Sequence, residues 1–238
     1  MRYLILSDTH SNLEALEAVR GEADFDRLVF LGDAVDYGPD PSAVVDILRE
    51  EARAGGALVQ GNHDEGASTP EDEFDDAWWS PVATSTMRYS RSHLEPPQLA
   101  FLRGLPRTLE LDLGAGGRAL LCHGVPKSNR QYLWPDLPPA TVRRLIEPEA
   151  DGFTHLFVGH THLQHERALG DIRIVNPGST GQPRDGDSRA GYALFDTAEG
   201  RLSFHRLTYE VDATCAKIRE RELPHAARLC EILKTGGG

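Results

Sequence analysis

The chain has no CxxC pair, and its cysteines, Cys122, Cys215 and Cys230, are odd in number. That argues against a disulfide framework and for three structural thiols in a reducing compartment. Long apolar runs are also missing. The opening stretch Met1-Arg2-Tyr3-Leu4-Ile5-Leu6 turns polar at Ser7 and Asp8, too soon for a signal peptide or a membrane span. A cytoplasmic protein with no membrane partner is therefore expected. Positive charge is scarce, with 25 Lys and Arg against 37 Asp and Glu and a net charge of -12. Stable nucleic-acid binding is disfavoured, because it rests on cationic side chains neutralising phosphates. A small anionic substrate would need local cations instead, and bound divalent ions are the strongest local source. Neither an internal repeat nor a low-complexity segment is present.

What the chain does contain is a βαβ rhythm. Its 238 residues suffice for one α/β domain, expected over 1–238. Short apolar runs at 3–6, 28–31 and 57–60 predict strands, with helical patterns between them opening at Ser11-Asn12-Leu13-Glu14 and at Pro41. The second half predicts strands at 107–113, 118–122, 156–158, 172–175, 192–195 and 202–207, with Gly-rich turns between neighbours. Two sheets packed face to face with helices outside are expected. Between about 65 and 97 an acidic loop followed by helix forms either a lid or a solvated helical cap on which Trp78 and Trp79 pack. A charge run is more often a wet face than a lid. At about 212–234 one or two amphipathic helices are expected, interrupted near Pro224.

The strands stop on polar clusters: Asp8-Thr9-His10, Gly32-Asp33, Gly61-Asn62-His63-Asp64, Cys122-His123-Gly124 and Gly159-His160-Thr161-His162. Ligands in open α/β sheets collect at the carboxyl ends of strands, where such clusters converge. Asp8 and His10 alone would read equally well as an N-cap beside a surface histidine. Together the clusters offer carboxylate, imidazole and amide oxygen, a donor set for borderline first-row ions rather than for calcium. With no paired cysteines to serve as ligands, a structural zinc site is disfavoured.

These motifs, in this order, resemble those of calcineurin-like metallophosphoesterases, in particular the small bacterial and archaeal phosphodiesterase-like branch. The resemblance spans roughly residues 1 to 210 and implies a four-layer αββα sandwich of two mixed β-sheets flanked by helices. It implies a binuclear centre in which Asp8, His10 and His162 hold one divalent ion. Asp33 then bridges to a second ion held by Asn62, His123 and His160. Manganese is favoured, with iron, zinc, nickel and cobalt open. Two ions about 3.5 to 4 Å apart can stabilise an in-line displacement at phosphorus, with a metal-bound hydroxide as nucleophile. His63 is then assigned as general acid, with Asp64 orienting its ring. Arg184, in Gln182-Pro183-Arg184-Asp185-Gly186, suits a phosphate oxygen, although a surface ion pair explains it equally well.

Protein serine/threonine phosphatases of this superfamily carry an arginine just after the Gly-Asp-x-x-Asp segment; here the residue is Tyr37. Losing one clamp for a dianionic monoester favours phosphodiesters or nucleotide phosphoanhydrides, such as dinucleoside polyphosphates, as the small phosphorylated substrate. The alternatives are a phosphomonoesterase and a catalytically silent metal-binding scaffold of the same fold.

Overall fold

Alternation of side chains decides the layers. In the computed structural model, which describes residues 1–237, Tyr3 and Ile5 of strand β1 (Arg2–Leu6) face one way and Leu4 and Leu6 the other. Both faces are buried, as a central strand covered on two sides requires. The chain continues through α1 (Leu13–Glu22), β2 (Arg27–Phe30), α2 (Pro41–Arg53), β3 (Ala57–Leu58), α3 (Asn62–Ser68), α4 (Pro81–Ser92) and α5 (Pro96–Gly104). There follow β4 (Thr108–Asp112), β5 (Arg118–Cys122), α6 (Pro139–Ile146), β6 (His155–Phe157), β7 (Gln164–Leu169) and β8 (Ile172–Pro177). The chain closes with β9 (Ala190–Asp196), β10 (Arg201–Leu207), α7 (Val211–Glu220) and α8 (Ala226–Thr235). Gly238, the last residue of the expected domain, lies outside the described residues.

Two five-stranded mixed sheets result, ordered β10-β9-β1-β2-β3 and β4-β5-β6-β8-β7. The first is parallel across β1, β2 and β3, the second across β5, β6 and β8. Ile5, Val29, Leu31 and Val59 meet Leu121, Phe157, Val175 and Phe195 in the layer between the sheets. On the outer face of the first sheet, Leu4, Leu28 and Phe30 pack against Leu16 of α1 and Val44, Val45 and Leu48 of α2. Leu120, Leu156 and Ile174 of the second sheet cover Val142 and Ile146 of α6. This is the expected αββα sandwich. Removing about 25 cal/mol of apolar contact with water per Å² buried makes these three seams the main source of cohesion.

Three helices, α3, α5 and α6, and strand β7 escape the sequence reading. The β7 segment Gln164-His165-Glu166-Arg167 has no apolar alternation because it is an edge strand, paired only with β8 and covered lightly on both faces. In the 65–97 region α3 ends at Ser68, a loop carries the acidic run and the tryptophans, and α4 begins at Pro81. Helices α7 and α8 flank Pro224, and their residues Cys215, Ile218, Leu229 and Cys230 pack together. All three cysteines are buried and unbonded.

Candidate metal centre

Five loops, following β1, β2, β3, β5 and β6, converge at one edge where the two sheets meet. They bring Asp8, His10, Asp33, Asn62, His123, His160 and His162 together, none more than 4% exposed. The ligand atoms fall into two groups, Asp8 with His10 and His162, and Asp33 with His123 and His160. The resemblance implied these same residues as ligands, with Asn62 added to the second set. Asn62 adds a buried Oδ1 with no hydrogen-bond partner, and one oxygen of Asp8 is likewise unpartnered. Buried polar atoms rarely stay unpaired, so an oxygen left so points to a missing cation.

The imidazoles make the same case. Nδ1 of His10 donates to Val35 O at 2.8 Å, that of His123 to Leu31 O at 2.7 Å, and that of His162 to Gln182 O at 2.5 Å. His160 is turned over, with Nε2 donating to Arg130 O at 3.2 Å. Each ring therefore spends one nitrogen on a backbone carbonyl and aims the lone pair of the other inward, the usual support of a metal-bound histidine. Inward nitrogens then face each other, His10 Nε2 and His162 Nε2 at 3.4 Å, His123 Nε2 and His160 Nδ1 at 3.1 Å. Two lone pairs at that separation repel unless a proton or a metal cation lies between them, and Asp33 Oδ2, 3.1 Å from His123 Nε2 and 3.7 Å from His10 Nε2, reaches both groups. The donor set fits divalent metal ions, with Asp33 within reach of both groups.

Electrostatics agree. Burial, with the nearby charge of His123, pushes His160 down to about 3. Burial would lower His123 too, but the carboxylates of Asp33 and Asp8 outweigh it and hold the ring up at about 9. The cage draws positive charge to itself.

Sequence spacing suggested that Asp8 and His10 project together from a strand. In fact β1 ends at Leu6, and both residues take left-handed backbone, φ 53° and 48°. Asp33, His160 and His162 do the same, with φ 60°, 66° and 60°. Such conformations cost on the order of 1 to 2 kcal/mol each and persist only where the surroundings hold them. Here Asp8 N–H donates to Gly32 O, His10 N–H to Asp33 O and His160 N–H to Asp8 Oδ2, at 3.0 to 3.1 Å. Gly61 permits a close approach, since a Cβ there would collide with the Asp33 carboxylate.

His63 stands beside both groups without joining either. Its Nδ1 bonds Asp36 Oδ2 at 2.7 Å, and its Nε2 lies 3.4 Å from the Tyr37 hydroxyl. Burial would lower its basicity, but the Asp33 charge and the Asp36 hydrogen bond prevail and raise it. The partner expected from sequence, Asp64, does something else. Its carboxylate accepts the backbone N–H groups of Asp33, Ala34 and Gly61 at 2.8 to 2.9 Å. Position N3 of a helix points the side chain back at the helix start, so Asp64 caps α3 and pins the β2 loop instead of touching His63. Asp36, the second aspartate of the Gly-Asp-x-x-Asp segment, takes the orienting place.

Above the cage opens a cleft of about 310 Å³ lined by Asp33, Asn62, His63, Tyr37, Arg184 and aromatic residues. Arg184 lies over the Tyr37 ring at 5.7 Å, with one N–H on Gln182 Oε1 at 2.8 Å and its Nε unpartnered. Trp79 packs edge-on to His63 and Tyr132 stacks on His160, at 5.0 and 3.9 Å between centroids. Tyr132 went unnoticed in the sequence, where only its place shortly after His123 could have hinted at it.

A two-sheet sandwich with twin carboxylate and imidazole clusters at one edge defines a metal-dependent phosphoric ester hydrolase. Residues 1–200 match the calcineurin-like phosphoesterase superfamily domain, and the chain belongs to that superfamily. It is 30% identical over 240 residues to the protein MJ0912 of Methanocaldococcus jannaschii, covering 92% of this chain and 93% of that one. The crystal structure of a metallophosphoesterase from Sphaerobacter thermophilus superposes with TM-score 0.81 at 32% identity, over 99% of this chain and all 100% of that one. The hypothetical protein PH1004 of Pyrococcus horikoshii shares the fold, with TM-score 0.87 at 21% identity over 99% and 98% of the two chains. No helix among the described residues is long and apolar enough to cross a membrane.

Proposed function

We propose that the cleft hydrolyses phosphodiester or nucleotide phosphoanhydride bonds using two divalent ions, with manganese the best match to this mixed oxygen and nitrogen donor set. Asp8, His10 and His162 would hold one ion, Asn62, His123 and His160 the other, with Asp33 shared. The observation that carries the reading is the inward convergence of four imidazole nitrogens whose ring partners are all fixed on backbone carbonyls. When bound, such ions polarise phosphoryl oxygens and make water a nucleophile at neutral pH.

The remaining chemistry belongs to the chain. His63, oriented by Asp36, delivers a proton from Nε2 to the departing oxygen. Arg184 takes a phosphoryl oxygen with its free Nε–H, and Tyr37 supports both its guanidinium and the His63 ring. Tyr37 brings no charge of its own, which favours singly charged diester phosphorus over a dianionic monoester. Burial pushes its hydroxyl well above the ordinary tyrosine range, so it stays neutral.

A manganese-supplemented panel of bis(p-nitrophenyl) phosphate, p-nitrophenyl phosphate, cyclic nucleotides and diadenosine tetraphosphate tests this. Faster turnover of diesters or the dinucleotide than of the monoester is expected. The opposite order would make the protein a phosphomonoesterase, and two bound ions without turnover on any member would make it a scaffold.

A further inference from the structure

Trp78 and Trp134 are 48% and 39% exposed, and with Met1 they are the large hydrophobic side chains left in solvent among the described residues. Both belong to aromatic columns rooted in the site. From His63, Trp79 follows edge-on at 5.0 Å and Trp78 edge-on to it at 4.8 Å. From His160, Tyr132 stacks at 3.9 Å and 16°, and Trp134 stacks on Tyr132 at 4.8 Å and 14°. Arg130 joins the sides: its backbone carbonyl accepts from His160, while its guanidinium lies 5.0 Å from the Trp78 ring and 5.5 Å from Trp79. Exposed indoles at the mouth of a cleft mark it as a binding surface, and Arg130, 3.6 Å from Glu65, and Arg184 bring positive charge to it. Flat apolar rings, a guanidinium and a phosphate-sized polar floor in one cleft match one ligand chemistry, a planar base carried on a phosphate.

The geometry points to a base-binding subsite at the cleft mouth, with Trp78, carried on Trp79 against His63, as the stacking platform and Trp134, carried on Tyr132 against His160, as a second platform further out, so that the substrate class is nucleotide-bearing. This rests on the phosphoester reading of the floor and adds to it what the rim selects. Stacking tolerates any base, because each has a π-face, and it contributes about 5- to 150-fold in affinity per base.

The test is calorimetric titration of the manganese-loaded protein with AMP and with ribose 5-phosphate, which differ only by the base. AMP should bind at least about tenfold more tightly to the wild type. That ratio should fall toward one in Trp78→Ala, survive in Trp78→Phe, and shrink in Trp134→Ala; the exposure of both rings leaves folding intact. Equal wild-type affinities, no AMP binding at millimolar concentration, or a ratio unchanged in both alanine variants would overturn the subsite. Hydrolysis across the diester, monoester, cyclic-nucleotide and dinucleotide panel, measured alongside, separates the two claims. If hydrolysis is absent while the AMP preference persists, the floor's assignment fails and the subsite stands. If hydrolysis is present with equal affinities, the reverse holds.

Discussion

Asp8, Asp33 and the four imidazoles of the cleft floor are buried, and each is tied to backbone or to a neighbouring ligand, several in left-handed conformations. Trp78, Trp134 and Arg130 at the rim are exposed on loops, where Trp78 meets Arg130 and Trp79, and Trp134 stacks on Tyr132. The floor holds its strain because strands and backbone hydrogen bonds over-determine every ligand, which is the arrangement that preorganised chemistry requires. The rim carries no such network and can vary with little effect on the fold. Chemistry and substrate choice therefore reside in two physically distinct parts of one cleft. Substitutions in the floor should alter metal content or turnover, and those in the rim should alter affinity.

The largest effect belongs to the shared ligand. Asp33→Ala should leave fewer than two ions per chain and no detectable diesterase activity, read by elemental analysis beside a bis(p-nitrophenyl) phosphate assay. Full metal content in that variant would place the bridge elsewhere. Next is His63→Ala, expected to lower turnover by about 100- to 10,000-fold while both ions stay, since its side chain bonds Asp36 rather than either group's inward atoms and its backbone N–H on Asp33 Oδ1 is kept. Asp36→Ala should cost less, about 10- to 100-fold, in line with an orienting partner rather than the acid itself. Combined with His63→Ala it should add almost nothing. An additive double variant would show that Asp36 acts independently of the ring. Smallest is Arg184→Ala at the rim, expected to raise KM about tenfold through one lost charge-assisted hydrogen bond while turnover changes little. A collapse of turnover there would erase the distinction between floor and rim.

The floor was largely legible in the sequence because each of its residues follows an apolar strand, and Asp33, Asn62, His123 and His160 also sit beside a glycine, so a local pattern marks most positions. The two groups join residues as far apart as Asp8 and His162, and it was the ordered series of motifs that tied them together. His63 was found the same way, but its partner was not. Asp64 is adjacent in sequence yet points into the helix start, whereas Asp36 arrives from another loop, and one-dimensional proximity could not distinguish them. Left-handed backbone at Asp8 and His10 was also invisible, because their i, i+2 spacing imitates a strand. The rim was least legible. Trp78 and Trp79 read equally well as packing residues, and Tyr132 belongs to a loop whose course is set by contact with His160 rather than by any periodic pattern.

The central claim is that two ions lie in this floor, held by seven side chains from five loops. The direct measurement is the metal-to-protein ratio after loading the full chain with manganese and desalting it. A ratio of two in the wild type and in His63→Ala, falling below two in Asp33→Ala, is the predicted result; a ratio near zero in the wild type would contradict it.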